Sequence, residues 1–177
     1  MGVALKAISP TRNEVFFEKN ELIVSKTDLK GRITYANDVF LRVAGFTAQE
    51  ILGQPHSIIR HPDMPRAVFK LLWDALEKRN EVFAYVKNMS KNGDFYWVFA
   101  HVTPSLDRNR NVVGYHSNRR VPRHDLIADV IEPFYATLLR EEQAEKNRKA
   151  GLARSTDILN QTIRSKARTY DEFIFSL

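Results

Sequence analysis

Cysteine is absent from this chain of 177 residues. Its absence excludes a disulfide framework, a thiolate metal site, a cysteine nucleophile and a cysteine-linked flavin or haem. Long apolar runs are absent too, and no stretch is long enough to span a bilayer. The first twenty residues carry Lys6, Arg12, Glu14, Glu18 and Lys19 and hold no hydrophobic segment of the signal-peptide kind. A cytoplasmic protein is therefore expected. No internal repeat or low-complexity tract is evident. No glycine loop joins a strand to a helix in the phosphate-binding manner, no metal-ligand cluster stands out, and no convincing Ser-His-acid order occurs. The expectation is a protein that is not an enzyme.

What is present describes a folded domain. Hydrophobic residues make up 44% of the chain, with 11 Phe, 6 Tyr and 2 Trp. That is enough to bury a core without metal or disulfides. The net charge of +6 comes from 27 basic residues mixed with 21 acidic ones. Spread in this way, the charges read as solvated surface, and no nucleic-acid motif accompanies them.

The apolar periodicity divides the chain. Residues 1–20 are a polar leader. Glu21 to Ser25 and Arg32 to Tyr35 read as a strand pair around the turn Asp28-Leu29-Lys30-Gly31. Asn37 or Asp38 can cap a short helix bearing Val39, Phe40 and Val43, which Gly45 ends. Thr47 and Glu50 have capping-box spacing for a second short helix, ended by Gly53. The longest central helix runs from Met64 to Leu76. Val82–Met89, Phe95–Pro104 and Val112–Arg120 are strands, the first two joined through Asn92-Gly93. The implied architecture is α+β, a five-stranded antiparallel sheet with short helices on one face. Beyond residue 121, an apolar stripe from Leu126 to Leu139 is interrupted by Pro133. Glu141 to Lys149 reads as an exposed helix or linker that Gly151 breaks. A last helix is expected from Ser155 to Phe175.

The segment Arg60-His61-Pro62-Asp63-Met64-Pro65 is the densest in chemistry. Two prolines stiffen it and disfavour helix before each of them. A guanidinium, an imidazole and a carboxylate sit between them at the mouth of the central helix. Such a loop suits an anionic or polar ligand. It is equally a surface turn in which Asp63 only caps the helix.

The ordered set Tyr35-Ala36-Asn37-Asp38, Gly53-Gln54-Pro55-His56, Arg60 to Pro65, Lys87-Asn88, Lys91 to Asp94 and Tyr96-Trp97-Val98 resembles the FAD-binding PAS domain of the aerotaxis-receptor (Aer) family. The likeness covers roughly residues 21–140. It implies a PAS fold with C-terminal helices and an FAD between the sheet and the short helices. In that family the flavin's redox state follows respiratory electron flow and is passed to a chemoreceptor. By matching motif, Asn37, Arg60, His61, Asp63, Trp73 and Asn88 are implied to touch or support the flavin. The residue types suit the cofactor. Trp73 or Tyr96 offers an aromatic face, Asn37 or Asn88 an amide for the pyrimidine edge, and Arg60 a cation for the diphosphate. Each also has an ordinary structural reading: Asn37 as a helix cap, Trp73 as core, Asn88 as an edge-strand residue. Tyr96 and Trp97 alternate on a strand, so at most one of them faces a pocket.

The resemblance ends before the membrane anchor and receptor signalling region of that family, and neither is expected in this protein. The expected form is a stand-alone, CetB-like sensor. It divides into a leader (1–20), a PAS domain (21–121) and a helical signalling or docking extension (122–177). Its expected partners are a separate membrane-bound chemoreceptor and a second copy of itself. Phe173, Ile174 and Phe175 are candidate docking residues. His116 is a further departure, near enough in sequence to bear on the flavin. Two alternatives stay open. One is a haem PAS sensor using one of His56, His61, His101, His116 or His124. The other is a ligand-free dimerisation module. A blue-light adduct former is excluded by the missing cysteine.

Overall fold

The computed structural model describes residues 8–177. Five strands form one antiparallel sheet: β1 (Ile23–Thr27), β2 (Ile33–Ala36), β3 (Val82–Met89), β4 (Phe95–Leu106) and β5 (Val112–Arg120), in the order β2-β1-β5-β4-β3. The chain crosses from β2 to β3 through α1 (Asp38–Ala44), α2 (Ala48–Ile51), a 3-10 turn at His56–Ile59 and α3 (Arg66–Glu77). These elements cover one face of the sheet. The α+β architecture expected from the periodicity is the one observed.

Local chemistry explains the short helices. Asn37 caps α1 by accepting from the Phe40 N–H, and Gly45 ends it in the left-handed conformation. Thr47 and Glu50 complete a reciprocal capping box on α2. Gly93 permits the β3–β4 turn at φ 96°, and a side chain there would strike the Ser9 carbonyl. The described end of the leader, around residues 11–16, docks beside this turn. Thr11 N–H donates to Gly93 O at 2.8 Å, Val15 N–H donates to Phe95 O at 2.7 Å, and Phe16 packs against His124.

The central helix starts two residues later than expected. Pro65 occupies its N-cap position, and Met64 is buried beneath β3 with its sulfur 3.2 Å from the Lys87 N–H. The C-terminal third also differs. A helical segment begins with α4 (His124–Leu126), widens into a π turn at Ile127–Ile131 and continues as α5 (Glu132–Ala144). Pro133 explains the widening, because it has no N–H for the carbonyl four residues back and its ring crowds that carbonyl. Glu141–Lys149 is not one exposed stretch: Glu142 is buried and Asn147 caps the next helix. Gly151 does not break that helix, α6 (Arg148–Lys166), but lies inside it. It allows α6 to touch the Glu142 carbonyl, where a Cβ would collide. The final segment is two helices rather than one, α6 and α7 (Tyr170–Ser176).

These helices fold back on the domain. Phe173 and Ile174 are buried with Val68, Leu71, Ile131 and Leu159, so their apolar surface is spent within the chain. Of the three candidate docking residues only Phe175 stays exposed, at 60%, where its ring meets Phe83 and Phe99. Tyr135 and Tyr170 donate to the Tyr85 and Phe83 carbonyls, at 2.8 and 2.6 Å. Among the described residues no helix is long and apolar enough to cross a membrane.

Candidate functional site

A cleft of about 240 Å³ lies between the sheet's inner face and α3. One wall is the helix stripe Phe69, Leu72, Trp73 and Leu76, at i, i+3, i+4 and i+7. The floor is the sheet, where register sets which residues point inward. Ser25 pairs with Ser117, Ala100 with Arg119 and Asn88 with Tyr96, and directly paired side chains share a face. Val86, Asn88, Ala100, Val102 and Ser117 thus line the floor. The third side is the segment after β2. Gly53 N–H donates to Ile33 O and His56 N–H donates to Gly31 O, both at 2.8 Å. These bonds lay Pro55, His56 and Ser57 against the sheet.

The cleft's most unusual group is Arg119. It is only 2% exposed and, among the described residues, has no carboxylate partner. Its Nη2 donates to Ser25 Oγ and, at 2.7 Å, to His56 Nε2. Its Nη1 is buried and finds no acceptor among the described residues. The guanidinium also lies 5.0 Å from the centre of the buried Phe40 ring. Burial lowers its pKa to about 10, so it stays a cation at neutral pH. Burial and then the neighbouring Arg119 charge push His56 down to about 3. His56 is therefore a neutral imidazole accepting at Nε2, with its proton on Nδ1. A buried, unpaired cation at the back of an apolar cleft is costly. It is the arrangement expected where an electron-rich ligand edge completes the hydrogen bonds.

Of the seven sequence-derived candidates, the structure brings Arg60, Trp73 and Asn88 together on the cleft lining. Arg60 stacks 4.1 Å from the Phe69 ring centre and donates to Met64 O at 3.1 Å. Trp73 is 40% exposed at the mouth, edge-on to Tyr115 and close above Gly31. The other four lie outside the lining. Asn37 spends its amide on the backbone, accepting from the Val24 and Phe40 N–H groups and donating to Leu22 O. His61 is buried, and its Nδ1 accepts from the Asp63 N–H at 3.1 Å. Asp63 is exposed and pairs with Lys87 at 3.0 Å. Tyr96 is on the inner face but fully buried, with its hydroxyl unpartnered and its pKa raised by burial. Trp97 points to the opposite face, against Tyr135. His116 is also on that opposite face, since it pairs with Thr103 and Lys26, and it bonds Asn118 at 3.1 Å.

The placement of Asn37 gives a direct expectation. Asn37→Ala removes a cap and leaves two further backbone groups without partners. It should cost roughly 2–4 kcal/mol of stability. Urea unfolding checks this: an unchanged midpoint with lost ligand binding would make Asn37 a contact residue instead.

Sequence reasoning missed Arg119, and it named His56 only as a possible haem ligand, not as Arg119's partner. His56 lay inside a quoted motif, and Arg119 alternates with Tyr115 and Ser117 along β5. An inward-facing charge was readable only once the strand's face was known.

Residues 33–119 match the family model of the PAS fold. That stretch of the chain belongs to the PAS family. The chain is similar to the aerotaxis receptor of Escherichia coli, with 46% identity over 116 residues. That stretch is 66% of this chain and 22% of the receptor. The nitrogen fixation regulatory protein of Klebsiella pneumoniae is 27% identical over 58% of this chain and 21% of its own length. The chain thus spans about a fifth of the length of these two relatives. Among solved structures, the blue-light photoreceptor Aureochrome1 LOV aligns with a TM-score of 0.53 and 27% identity, over 70% of this chain and 91% of its own. A PAS domain from Colwellia psychrerythraea aligns at 0.53 and 21% identity, over 57% of this chain and 86% of its own, a likeness of fold alone.

Proposed function

We propose that the cleft binds FAD and that the protein is a redox sensor for energy taxis. On this reading it passes the flavin's state by contact to a membrane-bound chemoreceptor and works as a homodimer. The carrying observation is the unpaired Arg119 cation at the back of an apolar slot. The kinship with an aerotaxis receptor supports the choice of ligand.

The lining fits such a group. Leu72, Leu76, Val86 and Val102 give apolar plates for a flat ring system. Arg119 Nη1 and Asn88 give a donor and an amide for polar ring edges, and Trp73 gives a stacking surface at the mouth. Besides Arg119, the lining carries the cations Lys30 and Arg60, which would hold the diphosphate. Asn37, His61, Asp63 and Tyr96 support these walls from outside the cleft. When bound, a flavin supplies reversible electron uptake. Arg119, with its neutral partner His56, would hydrogen-bond more strongly to a ring edge that gains electron density.

The purified protein is expected to be yellow and to release FAD on denaturation, identified by chromatography of the supernatant. A colourless protein that also fails to bind added FAD in titration would sink the assignment. A Soret band with bound iron would move it to haem.

A further inference from the structure

The approach to α3 is held from behind as well as from the cleft. Pro65 cannot cap α3 with a side chain, so the first turn needs donors satisfied from elsewhere. Glu142, near the end of α5, does this across 75 residues of sequence: its Oε1 accepts from the Ala67 N–H at 3.0 Å. Its Oε2 accepts from Arg66 Nε at 3.0 Å. The same Oε1 accepts from Ser155 Oγ on α6 at 2.8 Å. Arg66 Nη1 also donates to Arg148 O, at the start of α6, at 2.9 Å. Glu142 is only 5% exposed, and Gly151 brings α6 directly onto its carbonyl. The other end of α5 is tied as well. Glu132 meets Lys87 at 3.2 Å, and Lys87 meets Asp63 at 3.0 Å.

The other face of this junction is the cleft. Arg60 lines it and donates to the carbonyl of Met64, two residues before α3 begins. Phe69, Leu72, Trp73 and Leu76 face the cleft, while Val68 and Leu71 face Leu159 of α6. A continuous set of contacts therefore runs from the cleft through Arg60 and the first turn of α3 to Glu142, and from there to α6. A negative charge at a helix N-terminus is stabilising, and its benefit falls off within the first turn. The bonds to Glu142 are therefore sensitive to small shifts of α3.

We propose that Glu142 is a latch that positions the cleft wall α3 and couples its position to the docking of α6 and α7. The redox-dependent part of this rests on the flavin reading; the positioning part does not. Coupling is reciprocal, so whatever the latch contributes to ligand affinity, the ligand must contribute to latch closure by the same factor.

The test is amide hydrogen exchange on the full chain as wild type, Glu142→Ala and Glu142→Gln, with and without FAD. Without FAD, Glu142→Ala should speed exchange at least tenfold in the first turn of α3 and across Arg148–Lys166. Exchange in β3, β4 and β5 should stay unchanged. Glu142→Gln keeps an acceptor for Ala67 but loses the charge, and should restore part of the protection. With FAD, wild type should gain protection in α6 that Glu142→Ala lacks. The ratio of their FAD dissociation constants should equal that gain. Unchanged exchange in α6 overturns the latch, as does an equal rise in α6 and the strands, which would mark general destabilisation. Equal FAD-induced protection in wild type and Glu142→Ala overturns the coupling. A protein that binds no FAD ends the flavin reading, and the latch is then decided by the exchange of α3 and α6 alone.

Discussion

Replacing Arg119 with methionine is expected to stabilise the flavin-free protein and to remove most of its flavin affinity. The guanidinium is almost fully buried and, among the described residues, has no counter-charge and leaves Nη1 without an acceptor. Such a group carries a desolvation cost that its two hydrogen bonds only partly offset. Methionine fills similar volume without that cost. Its removal leaves Ser25 Oγ and His56 Nε2 satisfied by each other at 3.2 Å. The gain should be of the order of 1–4 kcal/mol, as when buried ionic groups give way to apolar side chains. Binding should move the other way. A charge-assisted hydrogen bond to the ligand contributes about 1.5–3 kcal/mol, which is a tenfold to hundredfold loss of affinity. Urea unfolding without flavin and a fluorescence titration with FAD measure both. A variant that is less stable and binds FAD as tightly as wild type would make Arg119 a structural residue.

That pairing of costs explains what the sequence could and could not reveal. Local signals were sufficient where one short segment decides its own conformation. Asn92-Gly93 marks its turn, Thr47 and Glu50 their box, and Gly45 its helix end, because the deciding atoms lie within a few residues. The central helix was likewise visible as an apolar period, but not which of its residues would face the cleft. Arg119 was not. Its neighbours Asn118 and Arg120 are as polar as it is, so β5 shows no apolar alternation there. Only the pairing of Arg119 with Ala100 across the sheet turns it inward. Glu142 was hidden for the same kind of reason. It lies in a run of acids and bases that reads as solvated, and its partners Arg66 and Ala67 are on a distant helix. Asn37 carries the opposite lesson. An amide quoted for its resemblance to a ligand contact makes three backbone bonds that hold β1 to α1. Residue type alone does not separate a group that touches a ligand from one that shapes the wall behind it.

Stability should fall steeply with acid from a higher pH than carboxylates alone would produce. His56 has a folded pKa of about 3, lowered by burial and then by the adjacent Arg119. In the unfolded chain it titrates near 6.5. Between those values the unfolded state binds a proton that the folded state refuses, so stability rises with pH. The contribution is complete above about 6.5 and is lost as the pH drops toward 3. The slope approaches about 1.4 kcal/mol per pH unit in the middle of that range. His61 is lowered from its ordinary value as well, chiefly by burial, and adds with the same sign. Most carboxylates act nearer their own ordinary range, about 4; Glu14, whose carboxyl pKa burial raises, opposes part of the fall. The interval from pH 6.5 to 5 therefore reports the buried imidazoles. Urea midpoints of flavin-free protein across that interval should fall, and His56→Gln should flatten a large part of the fall. A wild-type midpoint that stays level down to pH 5 would mean that His56 accepts a proton when folded. Arg119 would then have to move away from it, and the cleft would be built around a different charge than the structure places there.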